Sequence, residues 1–301
     1  MTTSPRLVSV VTPAYNEAAN LSPLYERLKT VLDTAGVAWD WTVVDDHSTD
    51  DTFGALQRLA SADPRVRGCR LARNSGSHAA IACGLAAAHG DVVIILVADG
   101  QDPPEILPAL MEAWSSGAQV VWAARTDAAP TLTSRTYYGL MRRMDGLADM
   151  APEGADCVLL DRVVVQALQQ FGEQHVNLLA LITWMGFRQV RVPSPRHPRV
   201  RGRSGWTMRR KVELMVASIV GFSHLPVRLM VYAGAGTTLA GLGYAVAGSS
   251  SLMVAVLLIG GLQMIMLGVL GEYLWRTLEE ARRRPRFLIE ATTSVPEDSR
   301  Q

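Results

Sequence analysis

Cysteine is scarce in this 301-residue chain: Cys69, Cys83 and Cys157 stand apart, with no CxxC pair. That pattern excludes a disulfide scaffold and a cysteine zinc site, and it fits a reducing compartment. The six histidines show no HExxH or comparable spacing, which argues against a histidine metal site. Neither GxGxxG nor GxxxxGK[ST] occurs, so there is no dinucleotide fingerprint and no P-loop. The net charge of +1 averages over very uneven segments and singles out no partner, and no nucleic acid is expected. The opening MTTSPRLVSVVTPAYNE has only a short apolar run that meets Pro13. It lacks the long apolar core and cleavage site of a signal peptide, so the N-terminal part is expected in the cytosol.

What is present is a regular alternation from residue 7 to about 125. Strands are predicted at Leu7–Thr12, Trp41–Val44, Val66–Leu71, Val92–Val97 and Val120–Ala123. Between them, helices are predicted at Ala18–Ala35, Thr52–Ala62, Ser77–His89 and Pro104–Trp114. Such alternation predicts a mostly parallel sheet with helices on both faces. The strands end in polar residues: Pro13, Tyr15, Asn16 and Glu17, then Asp45-Asp46, Arg73-Asn74, and Asp99 with Gln101. In an open α/β sheet those ends share one edge and line one crevice.

The most informative stretch is Asp91–Glu105, DVVIILVADGQDPPE. Its apolar run reads as a strand buried on both faces, stopped by Pro103-Pro104. Asp99 and Gln101, two residues apart, can turn oxygen ligands toward one hard cation, which can in turn hold a diphosphate. A strand that simply ends in a polar turn is the plain alternative. Asp102 and Glu105 read as turn and helix-start residues rather than ligands.

The character changes near Arg188. Nine Lys or Arg residues and no acid lie between Arg188 and Lys211. Trp206–Leu225 mixes aromatic, basic and aliphatic residues as an interfacial helix does. From Leu229 to Gly271 no residue is charged, and Gly248-Ser249-Ser250-Ser251 divides the run into two halves of about 20 residues. Basic residues flank both halves, so a hairpin with both ends cytoplasmic is expected. The expected organisation is a catalytic domain over 1–187, basic membrane-proximal helices over 188–228, a transmembrane hairpin over 229–275 and a cytoplasmic tail over 276–301. The expected location is the inner membrane, multi-pass, with the catalytic domain on the cytoplasmic side.

These residues together resemble a family 2 glycosyltransferase of the polyprenyl-phosphate type, the group of dolichol-phosphate mannose synthases and bactoprenol glucosyltransferases. The resemblance runs through Pro13-Ala14-Tyr15-Asn16-Glu17, Val44-Asp45-Asp46 with Ser48-Thr49-Asp50, and Arg73-Asn74-Ser75-Gly76. It continues through Ala98–Glu105, Trp184–Arg188, Leu270–Arg276 and Arg284-Pro285. It implies a GT-A fold, a nucleotide-sugar donor, Mg²⁺ or Mn²⁺, a polyprenyl phosphate acceptor and contact with membrane lipids. By that resemblance Pro13, Tyr15, Glu17, Asp45 and Asp46 line the base and ribose, and Arg73, Asn74 and Gly76 lie near the ribose and diphosphate. Asp99 and Gln101 hold the metal, and Asp156 takes the acidic position beside the acceptor. Arg125 and Ser134 are further acceptor-side candidates.

Arg199, Arg201 and Arg203 have the guanidinium forks that bind phosphate bidentately, although attraction to anionic headgroups explains them equally. Asp156 also reads as a helix N-cap or turn residue ahead of Arg162–Gln170. The chain departs from the family pattern at Val97, where an Asp is common, and at His47, Gly100 and Gly205. The implied function is inverting transfer of one sugar from a UDP- or GDP-sugar to undecaprenyl or dolichyl phosphate, for envelope glycan or lipid modification. A non-catalytic nucleotide-sugar-binding scaffold or sensor is the alternative that the residue at Val97 leaves open. A processive synthase is disfavoured by the lack of a QxxRW motif. The resemblance also suggests homo-oligomers, with Gly234, Gly236, Gly241, Gly260 and Gly261 able to pack closely.

Overall fold

The first strand, β1 (Leu7–Ala14), is buried along most of its length, as the centre of a sheet covered on both faces must be. It belongs to a computed structural model that describes residues 4–126, 139, 141–142, 157–171, 177–195, 230, 232–237, 239–240, 252–282 and 284–293. Seven more strands join it: β2 (Ala38–Asp45), β3 (Val66–Leu71), β4 (Val92–Ile95), β5 (Val120–Arg125), β6 (Val158–Asp161), β7 (Gln189–Ser194) and β8 (Ile289–Thr292). Their order is β7-β5-β6-β4-β1-β2-β3-β8. The strands β4-β1-β2-β3 run parallel, β5 and β7 are parallel to each other, and β6 and β8 pair antiparallel with their neighbours.

The chain goes outward from β1 to β2 and β3, then crosses back to place β4 on the other side of β1. The order therefore reverses between β1 and β4, and the crevice at their carboxyl ends is the place where such sheets hold ligands. Register sets the level of that edge: Ala14 lies opposite Asp45, and Asp45 opposite Arg70.

Helices α1 (Ala18–Ala35), α2 (Thr52–Ala62) and α4 (Leu107–Ser115) cover one face, and α3 (Ser77–Ala87) packs on β1 and β2 from the other. The spacing of Leu21, Leu24, Leu28 and Leu32 makes one apolar stripe on α1, and all four are buried. Each buried leucine contributes about 1.5–3 kcal/mol of transfer free energy. Helix α1 stops at Gly36, whose φ of 67° supplies the left-handed cap and whose N–H donates to the Asp33 carbonyl. Gly84 of α3 sits so close to β1 that a Cβ there would lie 2.3 Å from Val11 Cγ1. Two shorter helices, α5 (Arg162–Gln169) and α6 (Leu178–Trp184), are capped by Asp161 and Asn177, whose side chains accept from Val163 N and Ala180 N.

The chain divides into two compact units: Met1–Phe171 with Asn177–Lys211 and Pro285–Gln301, and Gly172–Val176 with Val212–Arg284. The first unit thus takes in β7, beyond the expected boundary at 187, because β7 pairs with β5 along its whole length. It also takes in the tail. β8 lies against β3, Ala72 N donates to the Leu288 carbonyl, and Gly68 and Thr293 bond each other at 2.8 and 2.9 Å. The exposed edge that β3 would otherwise present is covered.

The second unit contains α7 (Leu252–Ala281), a helix of 30 residues. The expected multi-pass inner-membrane location with a transmembrane hairpin is corrected here: among the described residues no helix is long and apolar enough to cross a membrane. The uncharged run does not end where its helix ends, since α7 continues through Glu272, Arg276, Glu279 and Glu280. The first half of the run is described as helix only at 230, 232–237 and 239–240. The interfacial helix expected over Trp206–Leu225 lies outside the described residues.

Candidate active site

Four loops leave the carboxyl edge of the parallel strands, and hydrogen bonds from their own short polar side chains hold three of them together. After β1 the chain turns at Asn16, a non-glycine residue at φ 58°, a conformation that asparagine tolerates better than most. Its N–H donates to Ser48 Oγ at 2.9 Å, and its Oδ1 accepts from Thr49 N at 2.8 Å. Glu17 N donates to Thr52 Oγ1 at 2.9 Å, and Asp50 accepts from both Ala18 N and Thr52 N, so one carboxylate serves the starts of α1 and α2.

The acidic pair after β2 is buried and turned inward. Asp45 is fully buried; its Oδ1 accepts from Ser48 N at 2.9 Å and its Oδ2 from Arg70 Nη1 at 3.0 Å. Asp46, 3% exposed, accepts from Ser75 N at 2.7 Å and Gly76 N at 2.9 Å. It therefore fixes the turn at which α3 begins, where Gly76 holds a φ of 89° that a side chain would strain. Both acids act as framework for the loops, and Tyr15, Arg73 and Asn74 are among the exposed groups those loops carry.

Beyond β4 the chain keeps one more sheet bond, Leu96 N to the Val11 carbonyl, and then turns at Asp99-Gly100-Gln101. Asp99 is 7% exposed, and its Oδ1 accepts from Gln101 N at 3.1 Å. Gly100 has φ 72°, a left-handed conformation that glycine adopts without strain. No group of three or more His, Cys, Asp or Glu side chains that could hold a metal occurs among the described residues. The donor chemistry of Asp99 and Gln101, one carboxylate and one carboxamide, instead fits a Mg²⁺ or Mn²⁺ ion that keeps water and substrate phosphate among its ligands.

Sequence reasoning missed three residues here. Arg70, within β3, donates to Asp45 and to the Ser48 carbonyl. Glu290, on β8, touches Arg70 at 3.1 Å. His78, the second residue of α3, is partly exposed as a residue, yet both ring nitrogens are enclosed and have no hydrogen-bond partner. Burial pushes its pKa down to about 4 and keeps the ring neutral. Of the acceptor-side candidates, Asp156, Ser134, Arg199 and Arg201 lie outside the described residues, and Arg125 is described only as the last residue of β5.

A cavity of about 330 Å³ lined by Arg6, Asp91, Trp114, Asp161 and Arg162 lies at the other edge of the sheet, before β4 begins. Its polar groups are already used: Asp91 accepts from Arg6 N and Leu7 N, Asp161 from Trp114 Nε1, and Arg162 donates to the Ala88 and Gly90 carbonyls. It is a structural joint, remote from the loops that carry the site.

Residues 9–146 match glycosyl transferase family 2. An uncharacterised glycosyltransferase of Synechocystis sp. is 34% identical over 94% of this chain and 94% of its own length. A prophage bactoprenol glucosyl transferase homolog of Escherichia coli is 29% identical over 94% of this chain and 98% of its own. Among solved structures, Mycobacterium tuberculosis glucosyl-3-phosphoglycerate synthase with Mn²⁺, UDP and phosphoglyceric acid superposes with a TM-score of 0.53. It is 18% identical, with 71% of this chain and 76% of that one covered.

The sheet with its switch-point loops is GT-A-like. The chain belongs to glycosyl transferase family 2, as its motifs resemble, and relatives named bactoprenol glucosyl transferase match it over nearly their full length.

Proposed function

We propose that this glycosyltransferase moves one sugar, with inversion, from a UDP- or GDP-sugar to a polyprenyl phosphate. The observation that carries the reading is the Asp99-Gly100-Gln101 turn at the β1–β4 switch point, beside loops tied together by Asp45, Asp46 and Asn16. The relatives named bactoprenol glucosyl transferase support the acceptor class.

In this reading Pro13, Tyr15 and Glu17 line the base and ribose, on loops kept in place by Asp45 and Asp46. Arg73 and Asn74 approach the ribose and diphosphate from the turn at Gly76. Asp99 and Gln101 would hold Mg²⁺ or Mn²⁺, which neutralises charge on the departing diphosphate when bound. The attacking group is an oxygen of the acceptor phosphate. Its second pKa of about 6 leaves it largely ionised at neutral pH, so a strong general base is unnecessary. Asp156 then orients the acceptor rather than removing a proton, and Arg125, Ser134, Arg199 and Arg201 are assigned to the acceptor phosphate. An oligomer of identical chains is part of the same reading.

The test is a product assay. Purified protein given a panel of UDP- and GDP-sugars, undecaprenyl phosphate and Mg²⁺ or Mn²⁺ is expected to form a lipid-linked monosaccharide. If no donor yields product while nucleotide still binds, the transferase reading is overturned in favour of a nucleotide-sugar-binding scaffold.

A further inference from the structure

The C-terminal strand does more than close an edge. We propose that Glu290 on β8 is a positioning residue for the donor loops, acting through Arg70 on Asp45 and the Asp46–Ser48 turn. The Arg70 guanidinium spends a different nitrogen on each of three acceptors: Nε on Glu290 at 3.1 Å, Nη1 on Asp45 at 3.0 Å, and Nη2 on the Ser48 carbonyl at 3.2 Å. A guanidinium is planar and its donors are fixed relative to one another, so an acceptor holding one nitrogen sets where the other two point. Asp45 is fully buried and Arg70 is its charged partner, whereas Glu290 stands half-exposed at the outer end of the bridge.

Glu290 also reaches the turn directly. His47 Nδ1 lies 3.4 Å from its carboxylate and donates to the Leu71 carbonyl at 3.0 Å. His47 has φ 58°, an unusual conformation for a residue with a side chain, and these two contacts hold it there. The next link is Asp46, which fixes the amides of Ser75 and Gly76. Polar contacts, joined through the backbone of residues 45–48, therefore connect the tail strand through Arg70 and the β2–α2 turn to the start of α3. The irregularity in the β3–β8 register between Arg70 and Leu71 lies at the same level.

The donor part of this inference rests on the transferase reading; the coupling itself does not, and the experiment separates them. Amide hydrogen exchange on the full chain is compared for wild type, Glu290→Gln, Arg70→Lys and the double variant. Nucleotide affinity is measured in parallel, with UDP and GDP in the presence of Mn²⁺ as probes, together with donor KM and kcat. Glu290→Gln is expected to speed exchange at Ser48, Ser75 and Gly76 while leaving the β1 and β4 amides unchanged. It is also expected to weaken nucleotide binding and raise donor KM about 3-fold, the scale of a half-exposed ion pair, with kcat little changed. The double variant is expected to be less impaired than the sum of the two single variants, because Glu290 acts mainly through Arg70 and only in part through its contact with His47. Glu290→Asp should restore part of the protection. Unchanged exchange in Glu290→Gln overturns the inference whether or not nucleotide binds. Full additivity of the two substitutions overturns it as well. Wild-type protein that binds neither nucleotide strikes the transferase reading, and the exchange result still decides the coupling.

Discussion

Two arginines at opposite ends of β3 each bridge a pair of acids, and their surroundings divide stability from function. Arg65, just before the strand, grips Asp63 with Nε and Nη2 and reaches Asp33 at 2.8 Å, with its guanidinium stacked 4.0 Å from the Trp39 ring centroid. Asp63 also accepts from the Tyr25 hydroxyl at 2.7 Å, and the Arg65 guanidinium holds its carboxyl well below the usual range. Every partner there lies on α1, β2 or the turn that ends α2, so the cluster joins the helix layer to the amino edge of the sheet. Arg70 ties the far end of the same strand to a loop and to a tail segment 220 residues away in sequence. Similar ion-pair chemistry serves packing at one edge and loop placement at the other.

The largest expected effect lies at the functional edge. Asp99→Ala should lower transfer at least about 10³-fold, because a cation that stabilises a departing diphosphate is worth several kcal/mol of barrier. Val97 stands where an Asp is common in the family, so no neighbouring Asp on that strand can substitute for Asp99. Thermal unfolding should be nearly unchanged. A variant keeping more than about a tenth of wild-type turnover would place the metal elsewhere. At the other edge the prediction reverses. Arg65→Ala should cost roughly 2 kcal/mol of stability, less than a fully buried pair because Arg65 is one-third exposed, and should leave donor KM untouched. Asp63 is depressed in the folded state, so this contribution is present above the ordinary carboxylate pKa and is lost as pH falls below it. Chemical denaturation at pH 7 measures the first, and a shifted KM would erase the contrast between the edges.

Much of the parallel half was legible because strands covered on both faces are continuous apolar runs that end abruptly in polar residues. β1, β2, β3 and β4 fall close to their expected positions, and α1 and α2 match theirs, since leucine spacing and a terminal Gly36 are local signals. The antiparallel additions were not legible. β6 and β8 have four residues each, and their partners are far away in sequence. The apolar-polar alternation of Ile289-Glu290-Ala291-Thr292 was the signal that could have found β8. Asp45 and Asp46 were expected at the site, but their inward orientation was not legible, because it depends on Arg70, Ser75 and Gly76. The hairpin expectation rested on the lack of charge between Leu229 and Gly271, which records composition and not where a helix begins or ends.

His78 sharpens the comparison at the start of α3, next to the turn that Asp46 fixes. Its ring nitrogens are enclosed without partners, and its pKa is about 4 in the folded chain against about 6.5 when unfolded. Between those values the unfolded chain binds a proton that the folded chain does not, so stability falls as pH drops from about 6.5 to about 4. The loss over that window is at most roughly 3 kcal/mol. His78→Leu should remove it, and the stability difference between variant and wild type should widen steadily across the window. A difference that stays constant with pH would mean that the ring is not held neutral.

The smallest expected effect tests how closely backbone geometry controls the Asp99-Gly100-Gln101 turn proposed to hold the metal. Gly100 stands at φ 72°, where an L-residue pays roughly 1 kcal/mol relative to glycine. Gly100→Ala should therefore cost about that much stability or bend the turn to a negative φ, and the two outcomes separate in the metal dependence. If the turn keeps its shape, Gln101 N still reaches Asp99 Oδ1, and the Mn²⁺ concentration for half-maximal activity stays at its wild-type value while the melting temperature drops by a few degrees. If the turn bends, Gln101 leaves Asp99, and the metal requirement rises at an unchanged melting temperature. Either result ties Gly100 to the carboxyl edge. Loss of neither stability nor metal affinity would show that the left-handed turn at Gly100 is not needed to set Asp99 and Gln101 side by side.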